Sequence, residues 1–532
     1  MNRDITTAEQ LPTFDETQFL GLYRSGQHAN VADQFLSILK WFDSNSLQYV
    51  NASSQHLIDS FVELFLFIFT QADFRLGDHH ARMFIGMNRV ISNLVAVSST
   101  KNTDTYLDIL NHQQPNLAKL LTLYSARNTL QYDRKTFFDA QPSMASQWYV
   151  EYAAVCYGGL TSQLVVENLR SHFRFSHPRL AIPSNALDAY FGSTYVDEIS
   201  DRSIKHHINA TFRRLATALP PVRNKPNPKK IAVLSAAWVP GHVVYQTFHA
   251  YMNALTQKYD LTLFELGGHG KSDSALFAET YPVKLINGMP DMTRLAENDF
   301  QAAYFPEIGM GPEGIILANR RLAPIQVCTM GHAASTWGAD IDYFVSGADV
   351  EPSDSPERNY SERLVLMPGM GLVHRRPAYQ LHGRRSTTGR VVINCPWSCQ
   401  KLNYAMLMTL KKLVEQAGRE VLLRLFVGAS ARRANDYLPF ACTVFAQLGR
   451  QNVEIYTHTE RYEDYMAVLE EGDLALDSFH FGGCNSVADN LFLGVPVVTW
   501  EGSHWRNCMA SHLSRLVGLP ECVDFVPTIV EG

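Results

Sequence analysis

In "FHFGGCNSVADNLFLGVPVVTW" (479–500), Gly482 and Gly483 and the small polar pair Asn485 and Ser486 stand before an apolar run, with Asp489 one turn inside the helix that run predicts. A helix start offers unpaired N–H groups and about half a positive charge, which suits phosphate. Glycines ahead of it would let a diphosphate approach the backbone. Asp489 would accept hydrogen bonds from ribose hydroxyls, as acidic residues do at other nucleotide sites. Ser486-Val-Ala-Asp489 equally fits a capping box with aspartate in the third place. The two readings are compatible.

Three further groups have types suited to chemistry. Lys401, in "NCPWSCQKLNY", follows a predicted strand, where an ammonium would stabilise charge building on a departing diphosphate. A solvated surface lysine is the alternative. His242, in "WVPGHVVYQTFHAY", falls at a strand–helix junction, suited to a base or an oxygen-binding group, or to packing alone. His332 in "TMGHAAS" carries the same choice, whereas His249 falls on a helix and reads as structural. The glycines of "FPEIGMGPEG" lack a following Gly-Lys-Ser, so no P-loop is supported. No Asp-x-Asp closes a strand to carry a divalent metal. Dipoles and lysine are therefore expected to neutralise any diphosphate, with no metal.

The elements that must position these groups alternate. Residues 1 to about 218 show helical spacing, as in "QHLIDSFVELFLFIF" and "ARMFIGMNRVISNLVAV", without a 34-residue repeat. After the proline-rich "LPPVRNKPNPKK" (219–230) the pattern changes. "KIAVLSAAW", "YDLTLFELGG", "DFQAAYFPEIGM", "APIQVCTMGH" and "DYFVSG" read as buried strands separated by helices. Beyond the polar break "HGRRSTTGR" (382–390) come "VVINCPW", "VLLRLFVG", "NVEIYTH", "DLALDSF" and "VPVVTW". Two α/β halves joined near residue 385 fit two doubly wound lobes, which bind ligands at the carboxyl ends of their strands. The expected division is 1–225 all-α, 226–388 a first lobe, and 389–532 a second. The chain stops at "VDFVPTIVEG" with no obvious closing helix.

Length and composition agree. A chain of 532 residues implies about three domains. At 46% hydrophobic and 18% charged it is globular. A net charge of −6 provides no basic excess for bulk nucleic-acid binding. Eight scattered cysteines lack zinc-site spacing and read as free thiols of a reducing compartment. The N-terminus shows no signal-peptide core, and "FVELFLFIFTQA" (61–72) is too short to span a bilayer and carries Glu63, so it reads as a buried helix. A cytoplasmic protein without membrane insertion is expected.

Taken together, "RLAPIQVCTMGHAAS", "SCQKLNY" and "FHFGGCNSVADNLFLGVPVV" resemble the family 41 glycosyltransferases, which include the O-linked N-acetylglucosamine transferases and the bacterial adhesin N-glucosyltransferases. "HVVYQTFH", "QKLN", "FGGCNSVAD", "FTQADF", "ISNLVAVS", "LYSARN" and "YFGSTY" are closer to the second group. The resemblance implies a GT-B fold, two Rossmann-like lobes with a cleft, preceded by an all-α domain, with 226–388 on the acceptor side and 389–532 binding the UDP-sugar. It implies inverting, metal-independent transfer of a hexose from a UDP-sugar, UDP-glucose expected, to Asn in Asn-x-Ser/Thr of an adhesin-like polypeptide. Carried over, Lys401 contacts the diphosphate, Asn485 and Ser486 bind phosphate, and Asp489 binds the ribose. His242 lies beside acceptor and sugar, and His332 lines the cleft. Ala429 and Glu463 stand where the adhesin enzymes are expected to have glutamine and histidine. Phe248 replaces a second histidine, and Cys484 stands where the N-acetylglucosamine enzymes have one. These departures bear on the donor sugar and the acceptor. O-transfer to Ser/Thr, a non-catalytic binding module and another GT-B sugar transfer remain the rival readings.

Overall fold

The computed structural model describes residues 12–45, 51–181, 187–222, 225–267, 272–383, 386, 389–427, 435–456 and 461–525. The extreme N-terminus, the join at residue 385, Ala429 and the closing "VPTIVEG" lie outside them. The chain forms two compact units, residues 1–181 with 429–449, and residues 182–428 with 450–532. The composition change near residue 225 marks where helices give way to strands, the first strand beginning at Asn227, whereas compactness divides the chain at 181.

The first unit is built of helices. Helix Ala52–Phe69 opens on a capping box in which Asn51 and Ser54 satisfy each other's backbone N–H. Phe61, Phe65 and Phe69 recur at four-residue spacing and are buried, stacking on one another and meeting Phe35 and Phe84 edge to face. Each such side chain contributes about 1.5–3 kcal/mol on burial. This is the apolar stretch read as a buried helix. No helix among the described residues is long and apolar enough to cross a membrane. Helix Tyr437–Leu448 belongs to this unit although strands of the second unit flank it in sequence. Asp436 before it accepts from Arg89 at 2.7 Å and from Asn93 at 2.8 Å, an arrangement no local pattern announces.

The second unit holds two parallel sheets. The first contains β1 (Asn227–Ser235), β2 (Asp260–Glu265), β3 (Glu279–Pro282), β6 (Phe300–Phe305), β7 (Ile325–Thr329), β8 (Tyr343–Gly347) and β9 (Arg363–Met367), in the order β3-β2-β1-β6-β7-β8-β9. A small hairpin, β4 (Leu285–Ile286) and β5 (Met289–Pro290), stands apart. The second contains β10 (Val391–Cys395), β11 (Val421–Phe426), β12 (Val453–Tyr456), β13 (Leu474–Leu476), β14 (Val497–Glu501) and β15 (Val523–Phe525), in the order β12-β11-β10-β13-β14-β15. All ten sequence-read strands are present. The short β3, β9, β15 and the hairpin lack a long apolar run and escaped notice. Both sheets are doubly wound, with the order reversing between β1 and β6 and between β10 and β13. Those reversals leave crevices at the strands' carboxyl ends.

Candidate functional site

At the second reversal, the loop after β10 is tied to the end of β13 by the Trp397 indole, which donates to Leu476 O at 2.8 Å. Lys401 closes a short turn, and its ammonium donates to Gly482 O at 2.7 Å and lies 4.9 Å from the centre of the Phe481 ring. Burial pulls Lys401 below the ordinary lysine range, opposed by the charge of Asp477. Asn403 caps helix Tyr404–Gln416 through Met406 N and donates to Phe479 O, so Lys401 lies just ahead of this helix.

Asp477, just past β13, is buried and accepts from Gly483 N at 2.6 Å, Ser478 N at 2.8 Å and Thr499 Oγ1 at 2.9 Å. A Cβ on Gly482 would come within 2.5 Å of Arg506 O, and one on Gly483 within 2.9 Å of Ser486 Oγ; both would crowd the Asp477 carboxylate. These glycines are thus required by close packing inside the protein, a reason the sequence did not disclose. Asp477 was also missed, because an aspartate after a three-residue strand has no distinctive spacing.

Helix Asn485–Phe492 begins two residues earlier than a capping box at Ser486 requires, and its N-cap, Cys484, makes no side-chain cap. The capping-box reading therefore fails. Asp489 accepts instead from Tyr462 O–H at 2.6 Å, and burial raises its carboxyl to about 6. His374, on the segment linking the lobes, lies 3.7 Å from Cys484 Sγ and is hydrogen-bonded to Asn485, while burial keeps it below the usual imidazole range. Its neighbour Val373 donates to Thr247 O at 3.2 Å, so the linker touches both the first lobe and this helix start.

In the first lobe His242 is the N-cap of helix Val243–Leu255. Its Nδ1 accepts from Val244 N at 3.2 Å, and burial lowers its basicity. The proton then resides on Nε2, leaving a neutral imidazole that donates a hydrogen bond rather than one ready to take a proton. No hydrogen bond or ion pair among the described residues joins His242 to Lys401 or to residues 485–489. His249 stacks on Trp238, in keeping with a structural role. Glu307, past β6, is buried, accepts from Ala236 N at 2.7 Å and Ser235 Oγ at 2.9 Å, and is raised by burial to about 8. It pins the loop leading to His242.

His332 is 3% exposed and enclosed rather than open to a cleft. Lys205 donates to its Nε2 at 2.8 Å, to Ser335 O at 3.2 Å and to Asp201 at 2.9 Å. Three N–H donors thus meet three acceptors, so the ammonium is satisfied and His332 carries its proton on Nδ1. Asp201 also accepts from Ser193 Oγ and the Trp337 indole. The "YFGSTY" stretch supplies the neighbours: Tyr190 and Phe191 pack on His332, and Tyr195 packs on Phe481 at 4.5 Å. Arg506, over Phe481, donates to Ala333 O at 3.2 Å. His332 and Lys401 are therefore joined through Phe481, Arg506 and Ala333. Asp340-Ile-Asp342 precedes β8 rather than closing a strand, and Arg321 holds both carboxylates.

No protein-family profile matches the chain. Over 350 residues it is 24% identical to the UDP-glucose:protein N-beta-glucosyltransferase of Actinobacillus pleuropneumoniae serotype 5b, covering 63% of this chain and 55% of that protein. The protein of the same name from serotype 7 is 28% identical over 222 residues, covering 41% and 35%. The probable UDP-N-acetylglucosamine–peptide N-acetylglucosaminyltransferase SPINDLY of Solanum lycopersicum is 25% identical over 213 residues, covering 38% and 22%. The chain resembles the family 41 glycosyltransferases. It spans about half the length, or less, of these curated relatives. A solved O-GlcNAc transferase variant from Thermobaculum terrenum matches with a TM-score of 0.56 and 18% identity, over 96% of this chain and 88% of that one. The fold is GT-B, two Rossmann-like lobes preceded by a helical region. Of the departures from the family 41 pattern, Phe248 is a buried core residue. Glu463 is exposed on helix Tyr462–Glu470, beside the tyrosine that reaches Asp489. Cys484 faces His374.

Proposed function

We propose that this chain is an inverting, metal-independent protein glycosyltransferase. In this reading it moves a hexose, glucose for preference, from a UDP-sugar to Asn in Asn-x-Ser/Thr sequons of an adhesin-like polypeptide. The supporting observation is the switch point of the second sheet, where the Lys401 ammonium stands beside a helix start with no side-chain cap. A diphosphate there meets a helix dipole and a lysine. Asn485 and Ser486 contribute the first helical N–H groups, Gly482 and Gly483 shape the approach, and Asp489 takes the ribose.

The acceptor nitrogen bonds to the anomeric carbon as the bond to the diphosphate oxygen breaks. The diphosphate leaves with that electron pair, and the proton lost by the nitrogen is released to solvent. Lys401 stabilises the departing charge. His242, a fixed Nε2–H donor, orients an oxygen of sugar or acceptor, and His332 braces the first lobe's wall. An amide nitrogen is a weak nucleophile, so positioning must supply much of the acceleration, for which about 7–11 kcal/mol is accessible.

Incubation with a panel of UDP-sugars and a sequon peptide, read by mass, is expected to add one hexose on Asn. Absence of UDP binding by calorimetry would instead favour a non-catalytic module. Transfer of glucose or N-acetylglucosamine to Ser/Thr oxygen is the second reading; the similarity to a protein named for N-acetylglucosaminyl transfer to peptide favours weighing that sugar, and fragment masses assign the modified atom.

A further inference from the structure

Asp489 lies half-buried on helix Asn485–Phe492, and among the described residues the donor that reaches its carboxylate is the Tyr462 hydroxyl, at 2.6 Å. Tyr462 is the first residue of helix Tyr462–Glu470 and is 41% exposed, so packing does not force it into this contact. Among the described residues, the titratable groups facing Asp489 are Tyr462 and the buried Tyr465 from that helix and Cys484 at the start of its own. None of these is a cation. A carboxylate without a positive neighbour holds its charge through hydrogen bonds. Ionised, it accepts strongly through both oxygens, whereas the protonated acid turns one oxygen into a donor and accepts more weakly through the other.

We propose that Tyr462 is a positioning residue for a nucleoside's vicinal hydroxyls, holding Asp489 in one orientation and ionised through Oδ1 while Oδ2 stays open to the ligand. This rests on the reading that Asp489 receives the ribose. Burial raises Asp489 to about 6 and the Tyr462 bond works against that rise. Losing the hydroxyl should therefore move the acid limb of binding to higher pH.

The test is calorimetric titration of UDP and 2′,3′-dideoxy-UDP into the full chain and its Tyr462→Phe variant between pH 5 and 8. The wild type is expected to prefer UDP about tenfold at pH 7.5, a difference of one hydrogen-bonded pair or more. That preference should fade as pH falls through about 6. In Tyr462→Phe the preference should shrink severalfold and its midpoint move upward, with dideoxy-UDP affinity and melting temperature unchanged. A wild type indifferent to the ribose hydroxyls removes the ribose reading itself. A wild type that discriminates, with a variant of unchanged preference and midpoint, overturns the proposal alone. So does tighter UDP binding by the variant, which would make Tyr462 a competitor for Asp489.

Discussion

The two lobes share a winding order yet place different charges at their switch points. In the first, the helix after β1 is capped by His242, the Ala236 amide ahead of it is taken by the buried Glu307, and helix Pro312–Ala318 after β6 starts with no side-chain cap. In the second, the loop after β10 carries Lys401 ahead of a helix capped by Asn403, and the helix after β13 likewise starts with no side-chain cap. The first crevice presents a neutral imidazole and a buried carboxyl. The second adds a cation to its uncapped helix start, the combination an anion needs. Topology thus locates both crevices, and the charge of the side chains beside them tells the two apart.

That contrast can be broken or sharpened by substitution. The largest effect is expected for Lys205→Met, which strands buried Asp201 and should cost about 3–5 kcal/mol in a urea melt. Stability unchanged within error would show that His332 is not braced this way. Lys401→Ala should lower turnover by about 10²–10³, or about 2.7–4 kcal/mol, with a near-native melting temperature. Near-full activity would remove the leaving-group role. His242→Asn separates cap from chemistry, since asparagine caps well but lacks Nε2–H. Stability should stay within about 0.5 kcal/mol while activity falls, whereas His242→Ala should also lose about 1 kcal/mol. If both variants keep full turnover, His242 is a cap only.

The last effect concerns pH. Glu307 is raised from 4.5 to about 8 in the folded chain, so its contribution is fully present below about 4.5 and is lost as pH rises toward 8. Glu307→Gln should flatten the stability profile between pH 5 and 8. An identical slope in both proteins would show that the carboxyl does not titrate there.

Much of this fold was legible because parallel strands buried on both faces read as continuous apolar runs, as "KIAVLS" and "VLLRLF" do. Lys401 and residues 485–489 were legible because they follow such runs directly. The capping box at Ser486 was a plausible local pattern that the chain does not use, since the helix starts at Asn485 and Tyr462 claims Asp489. His332 read as a cleft histidine, yet it is enclosed by Lys205, Tyr190 and Phe191. Nothing near residue 332 announces partners from so distant a stretch.

By itself the sequence determined the alternation of strand and helix, the change from helical to α/β grammar, and the groups at strand ends, because periodicity and chain order are local properties. Only the tertiary structure decided which group each one meets. Lys205 and His332 are 127 residues apart, Ser235 and Glu307 are 72, and Tyr462 and Asp489 are 27. Burying a charge or a donor demands a partner, and the partner is chosen by proximity in the folded chain rather than by position along it.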